Sequence, residues 1–293
     1  EAARRAVATV AVAAGLPSVE AAAQGIIDIV NENMFGAIRL VSVQQGFDPR
    51  DFALVAFGGA GPLHANALGR LTGAWPVIIP PSPGVLCAYG DATTSLRDEA
   101  ARTYIRRFSE LTDAELHGIL TELAAATLEA EGVPRTDHTV TYQVDLRYHG
   151  QGFEIPVPVD IGVFDDKSDD GAGLAALGKA FDAAHEQLFS FLLSNEHELV
   201  SARAAVSGPR PNVLAARLPE GDGDPSAAVT GTTRLYVEGA EAEAKVYDRT
   251  LLRAGDVIPG PAIVTEMDST TLVLPGHAAT VHVGGSLLIR PEA

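Results

Sequence analysis

The chain has 293 residues, 46% of them hydrophobic and 20% charged, with a formal net charge of −17. That length holds two or three domains with cores of their own, and the acidic balance excludes nonspecific binding to nucleic acid or an anionic membrane. No apolar run is long enough to span a bilayer, and a single cysteine, Cys87, excludes a disulfide framework or a thiolate zinc cluster.

Residues 1–14 are alanine-rich and predict a helix. The chain begins inside it at Glu1, without Met, which reads as a piece of a longer protein. The run "ATVAVAAG" (8–15) is followed by no clear cleavage site, so it does not read as a signal peptide. Ser18 is a candidate N-cap for a helix over 19–44. There Ile26, Ile27, Val30, Met34, Ile38 and Val41 recur at helical spacing and predict one apolar face. Gly46 suits the C-cap, and Asp48-Pro49 opens a turn.

Leu54 to Phe57 then reads as a buried strand, Gly58-Gly59-Ala60-Gly61 as a turn, and Pro62 as the first turn of a helix. Strand, glycine turn and helix start make a common anion-binding device, because backbone N–H groups and the positive end of the helix dipole meet there. A plain tight connection needs the same glycines. His64 follows; it can hydrogen-bond a phosphate or substrate, or cap local backbone. "WPVIIP" (75–80) predicts a second strand. Helix and strand alternate, so the class here is α/β. Cys87, among small and apolar residues in "PGVLCAYG", reads as a small buried hydrophobe rather than a nucleophile, and a short helical segment follows.

A helix is expected over 109–132, with Thr112 as cap and Glu115 completing a capping box. Alternation over 139–159 on both sides of His149-Gly150-Gln151-Gly152 predicts a hairpin. It sets Asp145, Arg147 and His149 on one face and Tyr148 on the other. These side chains, with Gln151, read as structure or interface rather than catalysis. "DDKSDDG" (165–171) lacks Ca²⁺-loop spacing and reads as a solvated loop. A helix over 173–193 and a strand over 197–208 complete an α+β segment. Residues 215–231 read as a linker, and 232–290 as short β runs. Within these runs, Glu266, Asp268, Ser269, Thr270 and Thr271 read as a β turn with solvated acids, since two carboxylates do not make a metal site.

Five ordered blocks carry a resemblance. "DPRDFALVAFGGAGPLHA" (48–65), "PPSPGVLCAYGDATTSLRDEAART", "DLRYHGQGFEIPVP", "AHEQLFSF" with "HELVSARAAVSG", and "VYDRTLLRAGDVIPGPAIVTEMDSTTLVLPG" resemble the hydantoinase A / 5-oxoprolinase family, which includes acetone carboxylase β subunits. The resemblance runs from residue 31 to 290. It implies half of a sugar-kinase/Hsp70/actin-type ATPase fold over 1–98, followed by an α+β domain over 99–215 and a small β-rich C-terminal domain over 216–293. Its implied cofactors are ATP and Mg²⁺. Gly58, Gly59, Ala60 and Gly61 match the adenosine motif, with the N–H groups of Gly59 and Ala60 toward the α-phosphate or ribose and His64 beside them. The family's first phosphate motif, Asp-Xaa-Gly-Gly-Thr, does not occur here. Metal ligands and catalytic residues are therefore expected mainly outside this chain, which alone should not hydrolyse ATP efficiently.

The implied activity is that of the C-terminal portion of an ATP-dependent subunit. It would activate a small cyclic amide, or a ketone, by phosphorylation for ring-opening hydrolysis or carboxylation. A separate hydantoinase B type subunit is expected as partner in a cytoplasmic hetero-oligomer, docked largely on residues 100–290. The alternative is a noncatalytic scaffold that holds that subunit.

Overall fold

Helix α1 (Ala2–Ala13) leads into α2 (Val19–Val41) in the computed structural model, which describes residues 1–131, 138–164, 171–209, 211 and 217–292. The Ser18 side chain accepts a hydrogen bond from the N–H of Ala21 at 3.0 Å, which caps α2 as its sequence predicts. Gly46 closes the following 3₁₀ turn in the left-handed region at φ 78°. The apolar stripe of α2 does not enter the core. Ile26, Ile27, Val30 and Val41 are exposed, and Ala22 and Asn31 are the buried positions. The helix packs on α1, on α3 (Gly61–Thr72) and on β7 (Val229–Val237) along a narrow strip, so the broad stripe faces outward.

The chain divides into two compact units, Glu1–Ala92 with Val213–Ala293, and Thr93–Asn212. In the first unit, β1 (Leu54–Val55) lies parallel to β2 (Val77–Ile79). It is an edge strand with Val55 and Phe57 exposed, not the buried strand its apolar letters suggest, because only one side has a partner. The other strands are β8 (Ala240–Asp248), β9 (Val257–Pro259), β10 (Ala262–Thr265), β11 (Thr270–Val273), β12 (His277–Val281) and β13 (Leu287–Pro291). They form two sheets of order β1-β2-β13-β12-β9 and β11-β10-β8-β7.

β13 pairs antiparallel with β2, with Leu287 opposite Ile79 and Ile289 opposite Val77. The last strands, expected in a β-rich domain of their own, therefore extend the sheet begun by residues 54–79. Val77, Ile79, Ile258, Leu287 and Ile289 share one core with Tyr247 and Val264 of the other sheet. Burying these aliphatic chains contributes about 1.5–3 kcal/mol each. The expected linker over 215–231 holds structure in its described part: Glu220 bridges Ala254, and a 3₁₀ turn spans Pro225–Ala228.

The second unit is an antiparallel sheet of order β3-β6-β4-β5, formed by β3 (Arg97–Arg107), β4 (Thr139–Tyr148), β5 (Ile155–Val159) and β6 (His197–Ser207). Helices α5 (Asp113–Glu131) and α6 (Ala172–Phe189) bring Leu116, Leu120 and Phe181 against Leu146, Tyr148 and Leu199. The predicted hairpin is the β4–β5 pair. Pro156 and Pro158 point outward on edge strand β5, where a missing N–H blunts further pairing.

Thr112 Oγ1 accepts from the N–H of Glu115 at 3.2 Å, but the Glu115 carboxylate binds the Tyr104 hydroxyl, so the reciprocal half of the capping box is replaced by a tertiary contact. The sequence reading has no counterpart for β3. Its charged, mostly exposed residues carry little alternation, and pairing of nine of its eleven residues with β6 holds it extended. Short helix α4 (Leu86–Ala92) precedes it, and Cys87 on α4 is exposed rather than buried, since this helix contributes no buried residue. Of "DDKSDDG", residues 165–170 lie outside the described residues. Among the described residues, no helix is long and apolar enough to cross a membrane.

Candidate functional site: the glycine turn at the head of α3

β1 delivers the chain to the turn through two hydrogen bonds, Leu54 N–H to Pro76 O at 3.1 Å and Ala56 N–H to Ile78 O at 2.9 Å. Gly58 then adopts φ +84°, a region that favours glycine, and a Cβ there would meet nothing within 4 Å. Its N–H donates to Pro83 O at 2.7 Å. Ala60 is the N-cap of α3, and no side chain caps this helix. Pro62 occupies its first turn as expected. The result is a stretch of bare backbone at the positive end of a twelve-residue helix. Such a stretch can hold an anionic or hydroxyl group by backbone donors.

Two further loops brace it. Ser82, in the left-handed region at φ 48°, opens the 81–85 loop, and its N–H donates to Glu266 Oε2 at 3.1 Å. The turn 266–269 closes with Glu266 N–H to Ser269 O at 3.1 Å and touches the glycine turn through Ser269 Oγ to Gly59 O at 3.3 Å. A Cβ on Gly84 would lie 2.5 Å from Asp268 O, so only glycine lets these loops approach so closely.

Glu266 is not a solvated acid. It pairs with Arg249, whose guanidinium also donates to Ile79 O at 2.8 Å and Gly285 O at 2.9 Å. Burial pulls the Arg249 guanidinium below its ordinary value and pushes the Glu266 carboxyl up, with each partner's charge opposing the shift. Nothing in local spacing links residues 249 and 266. For the first bracing loop, the signal was the glycine-proline run "PPSPG" after an apolar strand.

His64 stands one turn into α3 and faces α2, with Nδ1 2.9 Å from Oδ1 of buried Asn31. Both border a groove of about 630 Å³ between α2, α3 and the β7–β8 hairpin, lined also by Ile27, Leu235 and Leu272. The structure thus keeps Gly58, Gly59, Ala60 and Gly61 together at the head of α3 and engages His64 with a neighbouring helix. The bare turn offers backbone donors of the kind that can hold a ribose or phosphate group. Among the described residues, no three of His, Cys, Asp or Glu converge.

In the second unit every member of the hairpin cluster has a partner. Asp145 takes the Ser201 hydroxyl, and Arg147 and His149 both bind Glu198, at 2.6 and 3.0 Å. Gln151 meets His185 at 2.9 Å, and Tyr148 donates to Asp182 at 2.7 Å. Burial, then the Asp182 hydrogen bond, pushes the Tyr148 phenol up to about 12. These are the contacts of a framework.

Residues 1–100 match the family described as hydantoinase/oxoprolinase, and residues 99–286 match the hydantoinase/oxoprolinase C-terminal domain. The chain is 32% identical over 289 residues to caprolactamase subunit alpha of Pseudomonas jessenii, a match covering 94% of this chain and 40% of that protein. It is 31% identical over 288 residues to the acetophenone carboxylase gamma subunit of Aromatoleum aromaticum, covering 89% and 37%. The crystal structure of the ATP-dependent caprolactamase from Pseudomonas jessenii is similar with a TM-score of 0.82 and 28% identity, covering 95% of this chain and 41% of that one. The chain therefore spans about two fifths of the length of these relatives. With both of its segments matched, the chain belongs to the hydantoinase/oxoprolinase family.

Proposed function

We propose that the chain forms the C-terminal portion of an ATP-dependent subunit that activates a small cyclic amide, or a ketone, for ring-opening hydrolysis or carboxylation. Residues 1–98 would contribute half of an actin-type ATPase fold. The observation that carries this reading is the uncapped glycine turn, Gly58–Gly61, at the head of α3. The names of the similar proteins, an ATP-dependent caprolactamase and a carboxylase, support it.

An unstrained lactam is a poor electrophile. Bound ATP would supply a phosphoryl group to the carbonyl oxygen. Water adding to that carbon would then break the ring C–N bond, with the nitrogen leaving as the amine, and hydrolysis of the resulting acyl phosphate would release phosphate. The part played by this chain is to hold the ribose or α-phosphate on the backbone of Gly59 and Ala60, with the positive end of α3 behind it. His64, engaged with Asn31, would fix α3 against α2 rather than donate to the nucleotide. Groups that bind the terminal phosphates and Mg²⁺ would come from the part of the subunit beyond this chain, in line with the missing phosphate motif. A second, hydantoinase B type subunit would complete a hetero-oligomer. The relatives named as alpha and gamma subunits support that expectation.

The test is Gly59→Ala and Gly59→Val in the complete subunit, read by ATP calorimetry beside a circular dichroism melt. A Cβ at Gly59 would lie 3.5 Å from Asp268 O, an ordinary contact, so the alanine variant should fold unchanged. The β-branched valine should abolish binding where nucleotide approaches the backbone. Unchanged affinity in folded Gly59→Val removes the assignment and leaves the scaffold reading.

A further inference from the structure

In the second unit, five large apolar side chains crowd one corner of the surface. Phe153 lies on the β4–β5 connection, Phe189 at the end of α6, and Phe191, Leu192 and Leu193 on the segment that follows; they are 39–50% exposed. Scattered apolar side chains are ordinary on a surface, but a contiguous group held rigid is not. The Phe153 and Phe189 ring centroids are 4.8 Å apart, and those of Phe189 and Phe191 6.3 Å.

The fully buried His185 pins the group from below. Its ring centroid lies 4.8 Å from Phe189 and 5.3 Å from Phe191. Its Nδ1–H donates to Phe191 O at 2.9 Å, and Gln151 engages its Nε2. Ser190, left-handed at φ 64°, turns the chain sharply out of α6. A platform ordered before binding loses little entropy on association, and preorganised aromatic clusters are what dominate interface energies.

Charge argues against a second copy as the occupant. Neither 149–160 nor 182–196 contains a lysine or arginine, and Glu154 and Glu186 stand exposed there, while exposed Glu196 takes the Ser109 N–H and lies near Arg107. A second copy docked across a two-fold axis would set these carboxylates against their own images, on a chain of net charge −17. We infer that this aromatic corner is the docking centre for a different polypeptide, the second subunit, which presents an apolar patch edged by lysine and arginine. The inference rests on the reading that the chain works with a second subunit, and it names the place and chemistry of that contact.

The experiment co-expresses the complete subunit with the hydantoinase B type open reading frame adjacent to it. Affinity is measured by biolayer interferometry at low and high salt, with hydrogen exchange on the complex. Phe191→Asp and Leu192→Ala alter exposed side chains, and circular dichroism checks their folding. The expected result is a complex in which Phe191→Asp weakens binding at least about thirtyfold and Leu192→Ala less. Glu186→Lys should weaken it mainly at low salt, and exchange should slow over 189–196. A complex of undiminished affinity with Phe191→Asp overturns the placement while leaving the two-subunit reading intact. Absence of any complex, beside ATP-dependent turnover by the subunit alone, overturns both. Concentration-dependent self-association that Phe191→Asp abolishes would assign the corner to a second copy, and protection of 189–196 already present in the uncomplexed subunit would assign it to the rest of that subunit's own chain; either result overturns the inference.

Discussion

Replacing Arg249 with methionine removes a cation that binds three separate segments of the first unit. Its guanidinium is bonded to Glu266 Oε1 at 2.5 Å and to the carbonyls of Ile79 and Gly285, and the Arg249 and Glu266 side chains are only 8% and 9% exposed. Methionine fills much of the space but leaves a buried carboxylate with only the Ser82 N–H as donor, and removes the guanidinium from two carbonyls. Breaking a buried pair from one side costs about 3–5 kcal/mol. The loss at the two carbonyls is part of that figure rather than an addition to it, because the loops can move to find water. Against a total stability of about 5–15 kcal/mol, the loss is large. With a urea slope of about 2 kcal/mol per molar, the unfolding midpoint should fall by about 1.5–2.5 M.

The single tryptophan, Trp75, lies in the same unit with its ring centroid 5.4 Å from that of His277, so its fluorescence reports this transition. The double variant Arg249→Met with Glu266→Leu removes both charges. It should recover most of the loss, because burial works against both ionised groups. A midpoint for Arg249→Met within about 0.3 M of wild type, or a double variant no better than the single, would refute the view that this pair braces the turn.

Two further outcomes are expected. Burial pushes the Glu198 carboxyl up, but hydrogen bonds and charge from His149 and Arg147 outweigh it and leave it below its ordinary 4.5. Its stabilisation is therefore complete above that value and is lost as pH falls through the lower folded value. Exchange of β4 and β6 amides should accelerate below about pH 4.5 in wild type and depend less on pH in Glu198→Gln; equal slopes would count against the pair. Gly84→Ala should force the 266–269 turn away from the 81–85 loop and cost about 1–3 kcal/mol by overpacking, read as a lower Trp75 unfolding midpoint. An unchanged midpoint would mean the two loops do not meet as described.

Much of the local architecture is legible in the residues themselves. Ser18 and Thr112 cap where hydroxyls precede helical periodicity, Gly46 closes the 3₁₀ turn that follows α2 in the left-handed region rather than α2 itself, and alternation around His149-Gly150-Gln151-Gly152 marks the β4–β5 hairpin. The glycine turn is legible too, as strand, φ-permissive residues and an uncapped helix. Each is a property of near neighbours, set by backbone sterics and by donors a few residues apart.

What surrounds that turn belongs to tertiary structure. Arg249 and Glu266 look like surface charges until the 3₁₀ turn at Arg249–Leu251 and the turn after β10 bring them together, and burial then decides their chemistry. Asn31, one of several polar residues of α2, is buried where His64 meets it, while Ile26 and Val41 remain exposed because the packing strip of α2 lies elsewhere. Pairing of β2 with β13 joins the two ends of the chain into one sheet. No local signal names a strand partner, since backbone donors and acceptors are the same at every residue. Registry between distant strands is settled only when the whole core packs, by which aliphatic faces bury one another.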